Sequence, residues 1–167
     1  TDFSATITKL RESEPDTIIT CAMYATVGPF VNQYKDVDPE INIVGFSNAY
    51  SEQLVKLAGE DANDICLPVI FYHLSDNENV RTFVDSYMEA YDGMIPNSLT
   101  AQAYDSLGLF AAAAEMAGST ESSAIKDALY DIEYDGVAGL TKFDSNGDAI
   151  KSFYWLTIED GEFVLIK

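Results

Sequence analysis

The sequence predicts an α/β fold that supplies part of a larger, two-lobed protein. Three strand–helix units alternate over the first 72 residues. Residues 76–134 then contain three predicted helices with no strand between them. A helix must bury its apolar stripe against a partner, which in an α/β chain is normally a sheet. Because the helical segment has no parallel strand of its own, we expect its sheet to come from a missing N-terminal half.

The first part of the chain has the pattern of alternating helices and strands. Apolar residues at helical spacing predict a helix near residues 3–10, and Pro15 with Asp16 ends it. The predicted strands are residues 17–22, 41–46 and 65–72, and the helices between them cover residues 27–37 and 51–58. Ser51 can cap the second of these helices, and Gly59 can end it. A β-α-β-α-β order implies parallel strands joined by right-handed crossovers.

The second part is helical and ends in short strands. Asp76 can cap a first helix, and a break containing glycine and proline separates it from a second helix over residues 99–117. That second helix is apolar nearly all round, which predicts deep burial. Gly118 ends it, and a third helix follows from Thr120. Alternating apolar residues predict strands at 137–143, 150–159 and 162–166, with turns at 144–148 and 160–161.

The net charge of the chain argues against two classes of binding partner. The 167 residues include 28 acidic and 9 basic side chains, for a formal net charge of −19 at pH 7. Proteins that bind nucleic acid or anionic membrane surfaces do so through clusters of Lys and Arg side chains, so neither is a predicted partner. The acidic residues are scattered, which is typical of a soluble surface. No stretch reaches the roughly 18 apolar residues of a membrane span, and any export signal or lipid-anchor cysteine is expected upstream.

The two cysteines, Cys21 and Cys66, both fall inside apolar runs that are typical of strands. Such a setting predicts buried, reduced thiols. The alternative is a disulfide between them, which would require the two strands to be neighbours.

Three loops follow the predicted parallel strands and form the candidate ligand-binding region. In an open parallel sheet, ligands bind at the carboxyl ends of the strands, where loops and helix N-termini converge. The loop residues are Tyr24, Ala25 and Thr26 after the first strand, Ser47, Asn48, Ala49 and Tyr50 after the second, and Phe71, Tyr72 and His73 after the third. Aromatic faces, hydroxyls and amides beside helix N-termini are typical of a small-molecule cleft. The alternative is an ordinary polar loop surface, which any β-α protein has.

Signals of catalysis, metal binding or a cofactor are weak. His73 is the only histidine, and the sequence has no nucleophile elbow, phosphate-binding loop or glycine-rich dinucleotide turn. No His, Cys or carboxylate cluster has zinc spacing. Residues 144–148 resemble the start of a calcium loop, but their glycine comes early and the closing glutamate is missing, so a hairpin turn is the better interpretation. We therefore predict no catalytic residue, no metal and no cofactor.

The order of segments resembles one known family. The stretches that carry the resemblance are DFSATITKL, EPDTIITCAMY, INIVGFSNAYSEQLVKLAGEDAND, FVDSYMEAYDGMIPNSLTAQAYDSLGLFAAAAEMAGST, AIKDAL and GVAGLTKFDSNGD. Together they resemble the type I periplasmic binding proteins, and among these the branched-chain amino acid receptors of ABC transporters. The resemblance runs the whole length of this chain and corresponds to the C-terminal half of the family.

The resemblance implies two lobes with Rossmann-like parallel sheet layers, joined by three crossover strands, with a solute held between them. Residues 1–72 would belong to lobe 2, residues 73–151 to lobe 1, and residues 152–167 would return to lobe 2. Two of the three crossovers would then lie in this chain.

The resemblance also implies roles for individual residues. Tyr24 stands where family members commonly place a tyrosine against the bound amino acid, and Leu99 matches a lobe 1 position that can line the pocket. Ser47 stands where the branched-chain amino acid binders have an acidic residue that pairs with the ligand ammonium. A serine offers a hydroxyl and no charge, so this departure weakens the case for an amino acid as solute. The candidate ligand-binding residues are Tyr24, Ala25, Thr26, Ser47, Asn48, Tyr50 and Leu99.

The leading functional hypothesis is an extracytoplasmic solute receptor that binds an amino acid or related organic acid and docks on an ABC-transporter permease. A sensor of the same fold, which reports its ligand to a signalling domain, is the alternative. An enzyme of flavodoxin-like build is a third, opposed by the missing cofactor loop and the missing base–nucleophile pair. The unpartnered helices predict an exposed apolar surface, through which the chain would dimerise, swap segments or pack on the missing half.

Overall fold

The computed structural model describes residues 1–166, which form two compact units. Helices α1 to α6 are Ser4–Arg11, Tyr24–Lys35, Glu52–Ala58, Glu78–Ala90, Ser98–Ala117 and Ser122–Asp131. Strands β1 to β8 are Thr17–Ile19, Asn42–Val44, Leu67–Val69, Tyr134–Gly136, Gly139–Phe143, Ala149–Ile150, Tyr154–Glu159 and Glu162–Leu165. The first unit comprises Thr1–Val69 with the C-terminal segment from Tyr154, and the second comprises Ile70–Phe153. The assignment of the two units to lobes stays a prediction.

The first unit is built on a mixed sheet. β1 pairs with β2 in parallel, from Thr17 opposite Asn42 to Ile19 opposite Val44. A parallel bridge between Val44 and Cys66 joins β2 to the start of β3, and β7 and β8 continue the layer in antiparallel pairing. The predicted parallel strands are confirmed. They are shorter than the apolar runs suggested, because the β1–β2 ladder ends at Ile19 and Val44 and the chain turns into loops beyond these residues.

Local sequence determines where the helices of the first unit begin and end. Ser51 caps α3 as predicted, since its Oγ accepts a backbone N–H of the first turn at 3.2 Å. Gly59 follows the helix with φ +60°, a conformation that glycine adopts without strain. α2 begins at Tyr24, three residues before the predicted start. The backbone of Met23 is extended, and its carbonyl oxygen accepts hydrogen bonds from the N–H groups of Thr26 and Val27. The first helical turn therefore forms earlier in the sequence than predicted.

The cysteines do not form a disulfide. Cys21 is exposed, Cys66 is partly buried, and both are free thiols. β2 lies between their two strands, which removes the alternative of a bond between neighbouring strands. The predicted burial of Cys21 is wrong, because β1 ends at Ile19 and the cysteine lies in the loop beyond it. Burial raises the pKa of the Cys66 thiol.

The second unit contains α4, α5 and α6 beside a small antiparallel sheet of β4, β5 and β6. Asn77, and not the predicted Asp76, caps α4, because its extended backbone lets Oδ1 accept two N–H groups of the first turn. Asn97 caps α5 in the same way. Gly118 ends α5 as predicted, in the left-handed conformation with φ +60°.

The predicted deep burial of α5 holds on one side of the helix. There Ala113 is fully buried and packs with Ala128 and Ile132 in an apolar cluster. On the other side, Leu107 is 76% exposed and Phe110 is 57% exposed. The prediction is wrong for this side, because the described residues leave these side chains without a cover.

A buried carboxylate holds the β4–β5 turn against α5. Asp105, which is 5% exposed, accepts hydrogen bonds from Val137 N through Oδ1 and from Ala138 N through Oδ2, both at 2.8 Å. A Cβ at Gly136 would lie 2.4 Å from the Asp105 carboxyl carbon, so glycine permits this close approach. Lys151 Nζ donates to Ala138 O at 3.1 Å, and burial lowers the pKa of Lys151 although the Asp105 charge opposes that shift. Bonds to a charged acceptor are stronger than neutral ones, so Asp105 has a structural role in this unit.

Replacing Asp105 by asparagine should destabilise the second unit. An amide offers one acceptor oxygen and one NH2 donor, so one of the two buried backbone N–H groups would lose its acceptor. We expect Asp105→Asn to lower the free energy of unfolding by about 2 kcal/mol, measured by urea denaturation followed by circular dichroism. The exposed Asp135 provides the matched control, and Asp135→Asn should leave the transition unchanged. Equal stabilities for the two variants would contradict the structural role.

Candidate functional site

The candidate site lies at the carboxyl edge of β1 and β2 in the first unit. The two strands end at Ile19 and Val44, which are opposite each other in the parallel register. Asn48 Nδ2 donates to the carbonyl oxygen of Cys21 at 3.1 Å, and Thr20 N donates to Val44 O at 2.8 Å. These bonds bring two of the three predicted loops side by side.

Tyr24, Ala25 and Thr26 form the first turn of α2. Tyr24 is half-buried, and the other two residues are exposed. No side chain caps this helix, so its first backbone N–H groups have no side-chain acceptor. The first loop therefore presents an aromatic ring, a hydroxyl and the positive end of a helix.

Ser47 and Asn48 open the turn that follows β2. The Ser47 hydroxyl donates to the carbonyl oxygen of Pro68 at 3.2 Å, which links this turn to β3. The Asn48 amide holds the neighbouring loop through its nitrogen, whereas its Oδ1 is buried and accepts no hydrogen bond from the described residues. Both side chains thus contribute to the shape of the loops as well as to their polarity.

Two of the predicted residues lie elsewhere. Tyr50 is 3% exposed, and its ring meets Phe163 edge to face with centroids 4.7 Å apart, so it belongs to the core of the first unit. Leu99 is the second residue of α5 in the second unit and is 48% exposed. Phe71 and Tyr72 of the third predicted loop are buried in the second unit. A role for any of these residues in ligand binding stays a prediction.

Two apolar side chains at this edge were missed by sequence reasoning. Phe46 is 43% exposed and directly precedes Ser47, and Met23 is 42% exposed and directly precedes Tyr24. Contiguous exposed apolar patches often mark a binding surface, whereas single apolar side chains are ordinary, so these two residues are candidates only by their position beside the loops. The signal in the sequence is their position, since each is the last apolar residue before a predicted polar loop.

The two loops contain no charged side chain. Residues 20–26 and 46–50 include hydroxyl, amide, thiol and aromatic groups, although the chain as a whole carries a net charge of −19. A solute at this edge would meet rings, hydroxyls and backbone dipoles, and no ion-pair partner from these two segments. Such a surface suits groups that are neutral or that accept hydrogen bonds.

Residues 1–166 contain neither a metal-binding cluster nor a membrane-spanning helix. Within residues 1–166, no three His, Cys, Asp or Glu side chains converge as a metal ion would require. None of the helices in that stretch has the length and apolar character needed to cross a bilayer. Residues 144–148 form the predicted hairpin turn, in which N–H groups of Asp148 and Asn146 donate to Asp144 and lower the pKa of its carboxyl.

The fold is similar to that of known solute-binding proteins. The leucine-binding protein of Thermotoga maritima superposes with a TM-score of 0.85 at 25% sequence identity, over 99% of this chain and 48% of its own. The branched-chain amino acid transporter substrate-binding protein of Streptococcus pneumoniae, in complex with isoleucine, superposes with a TM-score of 0.80 at 30% identity, over 99% and 48%. This chain therefore spans about half the length of these structures.

A family model agrees with the structural comparison. The model for periplasmic binding proteins matches residues 1–162, which is nearly the whole chain. The predicted resemblance and the predicted fold class are therefore confirmed. The chain belongs to the periplasmic binding protein family and carries about half of the two-lobed type I fold.

Proposed function

We propose that this chain is part of the extracytoplasmic solute-binding component of an ABC importer. Its solute is a small polar molecule, an amino acid or a related organic acid, held in the cleft that the family forms between its two lobes. The observation that carries the proposal is the pairing of the Tyr24 and Ser47 loops at the carboxyl edge of a parallel sheet. This edge is where open α/β sheets bind their ligands.

The chemistry of the edge supports binding and not turnover. Tyr24 offers a half-buried ring for stacking, and Thr26, Ser47 and Asn48 offer hydrogen-bonding groups. A catalytic site would need a nucleophile or acid–base pair in hydrogen-bonding reach, and neither loop contains a histidine, carboxylate or lysine. The exposed Cys21 has no basic neighbour in these loops that would activate its thiol.

The chemistry of Ser47 affects which class of solute this edge would prefer. An ammonium group that leaves water needs a charged or strongly accepting partner, whereas the Ser47 hydroxyl, which donates to Pro68 O, offers it neutral lone pairs and no charge. The neutral edge therefore favours an organic acid without an amino group over a free amino acid. The similar proteins are named for leucine or contain isoleucine, so these amino acids are the ones to compare with organic acids in binding measurements.

The proposed partners follow from this role. The solute-loaded, closed form would dock on the transporter permease, since domain closure is the common way in which such binders signal occupancy. The apolar helix face of the second unit would be covered by the half of the fold that this chain lacks, or by a second copy. A sensor is the alternative function, and a membrane helix followed by a signalling domain in the same gene would distinguish it from a transport protein.

Replacing Tyr24 by alanine should weaken solute binding. We expect Tyr24→Ala in the full-length protein to lower the affinity by about 1–3 kcal/mol, the scale of a lost aromatic anchor. The solute would first be selected by a thermal-shift screen of amino acids and small organic acids, and its affinity then measured by calorimetry. Tyr130→Ala, which alters a tyrosine that is 43% exposed on α6, is the control. Unchanged affinity in Tyr24→Ala would remove this residue from the site.

Replacing Ser47 by aspartate should shift the preference towards amino acids. A carboxylate at this half-buried position would pair with an ammonium group, so the affinity for leucine should rise about tenfold relative to its deaminated analogue 4-methyl-2-oxopentanoate. Competition calorimetry with the two compounds measures the ratio. Ser47→Asn, which adds similar volume without charge, should leave the ratio unchanged. The same ratio in all three proteins would show that this position does not face the solute.

A further inference from the structure

The turn between β5 and β6 contains an asparagine that is followed directly by glycine. Asn146 and Gly147 form this pair, and no other asparagine in the sequence precedes a glycine. Asparagine is one of the thermolabile residues of proteins. Both residues are exposed at the tip of the hairpin, where the chain opens locally most readily. The pair therefore combines a reactive sequence with an accessible position.

The chemistry open to this pair is the loss of the side-chain amide. The backbone nitrogen of Gly147 gives its proton to hydroxide and attacks Cγ of Asn146. An N–C bond forms, the bond from Cγ to Nδ2 breaks, and Nδ2 takes a proton from water and leaves as ammonia. Water then opens the cyclic imide at either of its two carbonyl carbons, which yields aspartate or isoaspartate. Glycine favours the attack because no side chain stands beside the attacking nitrogen.

The carboxylate of Asp144 holds this turn closed. Its Oδ1 accepts the backbone N–H groups of Asn146 at 2.8 Å and of Asp148 at 2.9 Å. Its Oδ2 accepts a hydrogen bond from Asn146 Nδ2 at 3.4 Å, and Gly147 N donates to the Asp144 carbonyl oxygen at 3.0 Å. Both the attacking nitrogen and the departing nitrogen are thus bound to Asp144 while the turn is closed.

We propose that Asn146 is a site of spontaneous deamidation whose rate is governed by opening of the Asp144 turn, residues 144–148. The N–H of Gly147 has to be released before its nitrogen can attack, so the reaction proceeds from the opened turn. Opening of a short exposed segment requires less free energy than global unfolding. The strand that follows, Ala149–Ile150, has two residues, so little strand pairing opposes the opening.

The product changes both the charge and the length of the turn. Hydrogen bonds from the backbone N–H groups of Asp148 and Asn146 lower the pKa of Asp144, so its carboxylate is ionised at neutral pH. A product carboxylate at position 146 replaces a donor to Asp144 by a group of like charge, which is repelled. Isoaspartate also adds one atom to the backbone of the turn. Phe143, at the start of the turn, packs on the apolar cluster around Ala113, so deamidation would loosen the edge of that cluster.

The site is tested by incubating the full-length protein at neutral pH and physiological temperature, followed by peptide mapping with mass spectrometry. The peptide that contains Asn146 should gain the mass difference between an amide and a carboxyl group, and an enzymatic isoaspartate assay should detect the isomeric product. Asn79 is the internal control, because it is also exposed but precedes the β-branched Val80. Its peptide should be modified at least about tenfold more slowly.

Asp144→Ala tests the role of the turn. Removal of the carboxylate leaves two backbone N–H groups without their acceptor, so the turn opens more often and deamidation of Asn146 should be at least about threefold faster in the folded protein. Asp127→Ala, at an exposed residue of α6 in the same unit, is the matched control and should leave the rate unchanged. In concentrated urea, where the turn is unfolded in every variant, all three proteins should react at the same rate.

Two results would overturn the proposal. One is an Asn146 peptide that is modified no faster than the Asn79 peptide. The other is an equal rate of deamidation in the unaltered protein and in Asp144→Ala without urea, with circular dichroism showing that both are folded. If Asp144→Ala does not fold, Asp144→Asn makes the same comparison, because an amide keeps one acceptor oxygen and loses the charge.

Discussion

The requirement that a helix bury its apolar residues governs the organisation of this chain. α5 is the clearest case, because it carries apolar side chains on both of its sides and the described residues cover one of them. The covered side packs on α6 and binds the β4–β5 turn through Asp105. The uncovered side includes the exposed side chains of Tyr104, Leu107 and Phe110. The second unit is thus a layer of helices in which the described residues cover one side of α5 and leave the other exposed.

The first unit meets the same requirement from its own sequence. Its helices pack on a sheet in which β1, β2 and β3 are parallel and β7 and β8 return from the end of the chain. Loops at the carboxyl edge are then tied by backbone and side-chain bonds, such as the one from Asn48 to Cys21. A site on a completed sheet can be preorganised before any ligand arrives, which lowers the entropic cost of binding.

Charge is distributed differently at the surface and at the candidate site. The acidic excess of the chain lies outside residues 20–26 and 46–50, where the polar groups are neutral. The long-range field of an acidic surface affects solubility and association. If this edge binds a solute as proposed, Tyr24 and Ser47 would recognise it through short-range contacts with its hydrogen-bonding groups.

The sequence by itself determined the fold class, the parallel order of the first strands, the Ser51 cap and the ends of helices at Gly59 and Gly118, because these depend on periodicity and on local backbone preference. Tertiary structure alone decided which side of α5 is covered, that Tyr50 is a core residue against Phe163, and that Cys21 is exposed. It also decided that Asp105, 32 residues before Val137, binds its N–H group. Periodicity shows that one side of a helix is apolar but not which residues pack against it, since those residues are distant in the sequence.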